Sequence, residues 1–353
     1  MNPPRMDQPF VTGAVETVVG DVPQISSSLL WSDRWGTIKA RSGLNRMHYA
    51  VDPGLYVLGN PGAESPVLVT ANYKLSLDSL RSALPGRDAW ILVLDTKGIN
   101  VWCAAGKGTF GTVELAARIK SSGIGQVVSH RKIILPQLGA PGVAAHLVKK
   151  LSGFTVHYGP IRAEDLTEYL DHGMVATPAM RLKTFTLSER AVLIPIELVQ
   201  ALRVAFIAAL VALLLSGMGG SGTYVDNMVT YGGFFSFALF SAVFAGAVLT
   251  PLLLPYLPGR AFALKGLGLG LITAVILVLL RNPETARWAD RIEALAWLFL
   301  VPATAAYLAM NFTGASTFTS LSGVKKEMRW ALPLEITAGA TGCLLWLGSR
   351  FIG

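Results

Sequence analysis

AWILVLDTKGINVWCAAGKGTFGTVELAARIKSSGIGQVVSH, residues 89–130, is the stretch on which the reading of the fold turns. AWILVLD is a short uninterrupted apolar run, the pattern of a strand buried on both faces. GTVELAARIKSSG reads as a helix, and GQVVSH as a further strand. The alternation continues outward from there: SPVLVTANY and FTVHYG are strand-like, GAPGVAAHLVKKLSG and RAEDLTEYLDHG helical. Strand–helix alternation with short connections predicts a Rossmann-like α/β domain built on a parallel sheet covered on both faces. It is expected over residues 51–180, after a poorly ordered tail and β-rich lead-in over residues 1–50. Ligands on such a sheet bind outside the carboxyl ends of the strands. Those ends are expected at residues 70–72, 95–100, 129–130 and 157–159.

The rest of the chain is different in kind. Its 353 residues are 52% hydrophobic and 15% charged, too apolar for an ordinary soluble protein, and the excess lies in the second half. From Leu198 onward five segments approach the roughly 20 apolar residues that cross a bilayer. They centre on residues 204–218, 232–254, 266–280, 294–310 and 332–348, the last diluted by Glu335 and small residues. A linker over 181–197 and an all-α transmembrane domain of five helices over 198–353 are therefore expected. Arg181, Lys183 and Arg190 precede the first span, Arg260 and Lys265 lie between the second and third, and Lys325, Lys326 and Arg329 between the fourth and fifth. The opposite loops are GSGTYVDN and RNPETARWADRIE, whose arginines are accompanied by Glu284, Asp290 and Glu293. The positive-inside rule then puts the N-terminal domain in the cytoplasm and the C-terminus outside an inner, cytoplasmic membrane. Ionisable residues inside the spans are few (Glu335, with Arg203 and Glu197) and lie near span ends. That favours an anchor or helix-packing platform over a conduit, and Gly266, Gly268 and Gly270 suggest close helix packing.

Several function classes recede. The net charge of +8 is explained by loop lysines and arginines, and no aromatic-basic interleaving marks a nucleic-acid binder. MNPPRMDQPFVTGAVETV has no apolar core with a basic start and a small-residue cleavage site, so a secretory leader is not expected there. With only Cys103 and Cys343, a disulfide framework is not expected, and neither is an iron–sulfur cluster held by this chain, which usually needs four thiolates.

The segment around Cys103 admits several readings. A Walker loop requires G-x-x-x-x-G-K-[ST], but Gly108 follows Lys107, and the stretch 101–103 stands where the first glycine belongs. Residues 106–111 do match G-x-G-x-x-G, yet the region 20 residues on, GQVVSHRKII, lacks the acid that binds a ribose. On a helix, Asn100, Cys103 and Lys107 share one face. Ala104, Ala105 and Gly106 leave part of that helix nearly bare, so a flat, bulky ligand fits against it. A lone cysteine with apolar neighbours is equally what a small buried core residue looks like.

Asn100-Val101-Trp102-Cys103-Ala104-Ala105-Gly106-Lys107 resembles the cap-helix signature of the corrinoid proteins of microbial mercury methylation, the HgcA family. That family is itself related to the large subunit of the corrinoid iron–sulfur protein of acetyl-CoA synthesis. VTANYKLS, LDTKGINVWCAAGKGTFGT and ILPQLGAPGV fit the corrinoid domain, and the five-span tail is characteristic of the mercury family. The resemblance implies a cobalamin-type corrinoid whose cobalt is approached from below by Cys103. No histidine here sits in D-x-H-x-x-G, the usual alternative. It further implies that Asn100, Val101, Trp102, Ala104, Ala105, Gly106 and Lys107 shape the helix under the ring. Thr70, Asn72, Gly108, Thr109 and Phe110 would touch its edge or tail, and His130, Pro136, Gln137 and Gly139 would face the cofactor from the next strand ends. The implied activity is transfer of methyl from methyl-cob(III)amide to Hg(II), a soft acceptor suited to a methyl released with its electron pair. Implied partners are a small 4Fe–4S ferredoxin-type reductase, a methyl donor of folate type, Hg(II) or its thiol complex, and membrane lipid. A corrinoid methyl carrier for another acceptor, or a transporter or sensor with a nucleotide-binding domain, are the alternatives.

Overall fold

A computed structural model describes residues 3–220, 222–281, 287–315 and 321–352. The chain divides into two units, one of Met1–Ala40 and Leu44–Thr184, the other of Arg41–Gly43 and Phe185–Gly353.

The first unit is an α/β sheet. Its strands are β1 (Val11–Thr17), β2 (Gly20–Ile25), β3 (Gly54–Leu58), β4 (Val67–Ala71), β5 (Ala89–Leu94), β6 (Lys132–Leu135) and β7 (Thr155–Tyr158), in the order β1-β2-β3-β5-β4-β6-β7. Helices α1 (Trp31–Arg41), α2 (Lys74–Ser82), α3 (Val101–Lys107), α4 (Thr112–Ser122), α5 (Ile124–Val127), α6 (Ala145–Ser152) and α7 (Leu166–Asp171) connect and cover them. β4 to β7 are parallel, joined by helical crossovers, as expected. Burial alternates along them. Val67, Val69, Ala71, Leu92 and Leu94 pack with Leu115 and Ile119 of α4 and Val148 of α6. Leu68, Ile91, Val93 and Ile134 pack on the other side with Leu77 and Leu80 of α2 and Tyr169 of α7. Cover on both faces is why these strands read as unbroken apolar runs.

Three expectations are corrected. The sheet is mixed: β1 and β2 form an antiparallel hairpin, and β3 runs antiparallel to β5. Residues 59–66, between β3 and β4, hold no helix, so the chain returns antiparallel instead of crossing over. Residues 1–50 are more than a tail and β-rich lead-in, because they supply two strands of the sheet itself and the helix α1. GQVVSH is not a strand. Its first residues continue the turn of α5 after Gly123, whose φ of +64° closes α4, and the strand forms from KIIL, which pairs with Thr155–Tyr158.

The second unit is helical. After α8 (Leu187–Ala191) come α9 (Ile194–Ser216) and then α10 (Tyr224–Asn227), α11 (Gly233–Phe244) and α12 (Thr250–Leu253), joined by π-helical turns. α13 (Phe262–Arg281), α14 (Trp288–Asn311) and α15 (Leu321–Ser349) complete it. Among the described residues, five segments are long and apolar enough to cross a membrane: Leu187–Ser216, Tyr224–Leu253, Phe262–Arg281, Trp288–Asn311 and Ser322–Ser349. A Cβ on Gly266 would stand 2.5 Å from the Ala309 Cβ, and one on Gly270 2.6 Å from the Pro302 Cα. These two glycines therefore let α13 and α14 touch, whereas Gly268 faces open space. Cys343 is free and exposed on α15. Glu293 and Arg350 form a buried ion pair at 2.8 Å, with the Arg350 guanidinium 3.5 Å from the Tyr231 ring centre. Glu284, used in reading the loops, lies outside the described residues.

Candidate functional site

β4 is followed by β5 on one side and, after the return, β6 on the other, so the winding reverses at β4. The crevice outside the carboxyl ends of β4 and β6 is where such sheets bind ligands. The chain that leaves β5 at this edge becomes α3.

Three devices shape that connection. Asn72, just past β4, is buried, and its side-chain oxygen accepts from the Thr96 and Gly98 amides at 3.1 and 3.0 Å. The Thr96 hydroxyl lies 2.8 Å from the same oxygen. The Asp95 amide donates to Glu114 Oε1 at 2.9 Å, and Arg118 holds that carboxylate at 2.7 Å. Lys97 adopts a φ of +60°, unusual for a side-chain-bearing residue, with its amide and ammonium on Asp95 at 3.1 and 2.5 Å. Burial raises the Asp95 pKa, but Lys97 outweighs it and holds the carboxyl below its ordinary range. Asn72 is thus a scaffold hub, with its side-chain nitrogen 3.5 Å from the Asp95 carboxylate.

Helix α3 starts at Asn100, whose side chain accepts from the Cys103 amide at 2.9 Å, an N-cap. It stops at Gly108, whose φ of +81° only glycine adopts readily. Ala104 and Ala105 are buried against the sheet, while Trp102, Cys103, Gly106 and Lys107 are exposed. A Cβ on Gly106 would meet nothing within 4 Å. The open face is therefore Cys103, Gly106 and Lys107, flanked by Trp102. Asn100 turns inward to its cap, and the alanines serve the core. Val101 is half-buried against the same core.

Behind α3 the packing is tight. Phe110 is fully buried, and a Cβ on Gly139 would stand 2.5 Å from its ring. On Gly142 a Cβ would stand 2.1 Å from the Phe110 carbonyl and 3.0 Å from the Ala105 Cα. The Thr109 and Phe110 amides both donate to the Ala104 carbonyl, at 3.0 and 3.1 Å. Phe110 and Gly139 thus brace the helix from behind. Pro136 and Gln137, half-buried after β6, complete the edge, with Gln137 bonded to Arg181.

Two predicted contacts lie elsewhere. Thr70 is buried within β4, opposite Val93. His130 precedes β6 and so sits at the amino end of the sheet, the pole opposite α3. There its Nε2 lies 2.9 Å from the Ser65 carbonyl, and it lines a cleft with Arg87, Lys132 and Asp171. The segment 106–111 is no phosphate loop either, because Gly106 lies inside α3 and not in a strand-to-helix turn. The sequence reading missed Glu114 and Arg118, whose i, i+4 spacing is the one local signal of their role.

Both cysteines are free, and among the described residues no three His, Cys, Asp or Glu side chains group as a metal site. Residues 44–170 match the family model of the CO dehydrogenase/acetyl-CoA synthase delta subunit. The chain is 34% identical over 128 residues to the acetyl-CoA decarbonylase/synthase complex subunit gamma of Methanothermobacter thermautotrophicus, 36% of this chain and 28% of that one. It is 38% identical over 97 residues to the subunit gamma of Methanocaldococcus jannaschii, 27% of this chain and 20% of that one. The chain thus spans less than a third of the length of these relatives, and the second, helical unit lies outside the family match.

Proposed function

We propose that the chain is a membrane-anchored, corrinoid-dependent methyltransferase that converts Hg(II) to methylmercury, with Cys103 as the residue that would hold the cobalt. The observation that carries the reading is one exposed thiol on a capped helix at the switch-point edge, with open space at Gly106 beside it. The donor set fits the group. A lone thiol makes a poor site for a bare metal ion, which takes several protein ligands, but suits a metal whose other donors come from a macrocycle. Trp102 offers an apolar surface and Lys107 a cation at the rim of the same face. The matches to acetyl-CoA decarbonylase/synthase subunits support the corrinoid class. The mercury acceptor rests on the resemblance of residues 100–107 together with the five apolar segments.

When bound, the corrinoid supplies a cobalt that takes up and releases methyl. This chain's own residues then have distinct tasks. Asn100 fixes the first turn, so that Cys103 Sγ is held at the exposed edge, and Asn72, Glu114 and Arg118 fix the connection that aims the helix. Reducing electrons come from a small 4Fe–4S ferredoxin-type partner, since this chain has too few cysteines for a cluster. A folate-type donor supplies methyl, and the α/β unit lies on the cytoplasmic side, a reading supported by the loop charges.

Anaerobic purification and reconstitution should give one cobalt per chain and corrin absorption bands. Cys103→Ala should abolish methylmercury formation and shift the bands. A reconstituted protein without cobalt, or a Cys103→Ala variant with unchanged spectrum and product, would overturn the assignment. The subunit gamma matches favour a second reading, a corrinoid methyl carrier for another acceptor. Cobalt binding without methylmercury from Hg(II) would select it.

A further inference from the structure

Helix α1 is pinned on one side only. Its acid, Asp33, is buried and held by Lys74 and Arg81, each at 2.7 Å, and Gly36 lies under the Tyr49 ring. On the other side Trp31, Trp35 and Ile38 stand at i, i+4 and i+7 as one row, 73%, 48% and 48% exposed. Met47, in the turn that follows, is 68% exposed. The lysine and arginine side chains of α1 and that turn are Arg34, Lys39, Arg41 and Arg46, and no acid is exposed between residues 31 and 48.

We infer that α1 is an in-plane interfacial helix that docks the α/β unit onto an anionic lipid surface. Two indoles and an isoleucine in one row call for an apolar phase, and tryptophan favours the boundary between headgroups and acyl chains. Basic side chains beside such a row suit anionic headgroups. The bilayer is at hand, since the first unit ends at Thr184 and the first apolar span begins at Leu187. A tether that short gives the helix a high effective concentration at the surface. Trp31, Trp35 and Ile38 enter the interface, while Arg34, Lys39 and Arg46 contact phosphate groups. The inference does not depend on what binds at Cys103.

The test uses the full chain in nanodiscs of phosphatidylcholine, with or without phosphatidylglycerol. In a Cys103→Ala, Cys343→Ala background, Ile38→Cys carries an environment-sensitive fluorophore, and Met47→Cys is a second reporter site. Both positions are exposed, and melting in detergent checks the fold. Docking predicts blue-shifted emission and quenching by spin-labelled lipid, both stronger with phosphatidylglycerol. Arg34→Gln and Lys39→Gln should each lower the docked-to-free ratio about fivefold, as loss of one basic residue near an anionic surface implies. Water-like emission at both sites in phosphatidylglycerol discs would overturn the inference. So would shielding that needs an added protein partner, or shielding in detergent that grows with protein concentration and so reports a second copy.

Discussion

Gly106→Leu separates the surface of α3 from its scaffold. A Cβ at Gly106 meets nothing within 4 Å, so leucine grows into open space. Replacing glycine in a helix interior by a good helix former contributes about 0.8 kcal/mol, so the α/β unit should be slightly more stable. The same side chain lies one turn from Cys103, and residues at that spacing have Cβ atoms roughly 5–6 Å apart. Leucine therefore occupies the space a planar ligand needs to reach Sγ. Corrinoid affinity should fall at least about tenfold, a loss of about 1.4 kcal/mol. Cobalt per chain and the absorption spectrum after anaerobic reconstitution measure binding, and chemical denaturation followed by circular dichroism measures the fold. Gly142→Ala is the contrast. Its Cβ would stand 2.1 Å from a backbone carbonyl, so backbone must part, at a cost of about 1–3 kcal/mol. There, loss of cobalt should accompany loss of stability. A Gly106→Leu protein that binds corrinoid with wild-type affinity and spectrum would refute the placement of the ligand on this face.

Asn72→Ala strands the buried Thr96 and Gly98 donors and should destabilise the α/β unit by about 2–4 kcal/mol, read as a lower denaturation midpoint. Burial raises the Asp33 pKa, but Lys74, the Leu30 amide and Arg81 outweigh it, and the carboxyl stays below its ordinary range in the fold. A depressed folded-state pKa gives stability that is present above the unfolded value, about 3.9, and is lost as pH falls through the folded value. Asp33→Asn should therefore cost about 3 kcal/mol at neutral pH, and the gap to the parent should close below about pH 4 in pH-dependent melts. Gly266→Leu and Gly270→Leu should lower the melting temperature in detergent by forcing α13 from α14, while Gly268→Leu, facing open space, should leave it unchanged.

The two-part architecture was legible because burial on both faces, or within a bilayer, requires contiguous apolar residues, and such runs are local. Helix α3 was legible for a related reason, since Asn100 caps it and Gly108 ends it through interactions within one or two turns. Strand direction was not. β3 turns antiparallel because Gly54 pairs with Val93, a partner 39 positions away, and no local pattern records that choice. The same ignorance misplaced His130, because which pole of the sheet a residue occupies depends on where its strand begins. Asn72 looked like a ligand contact and became a hub only when the chain returned Thr96 and Gly98 to it. Composition and periodicity set which residues leave water. Which of the remaining polar groups meet one another, and which thiol stays free at an edge, is decided by contacts that chain closure creates.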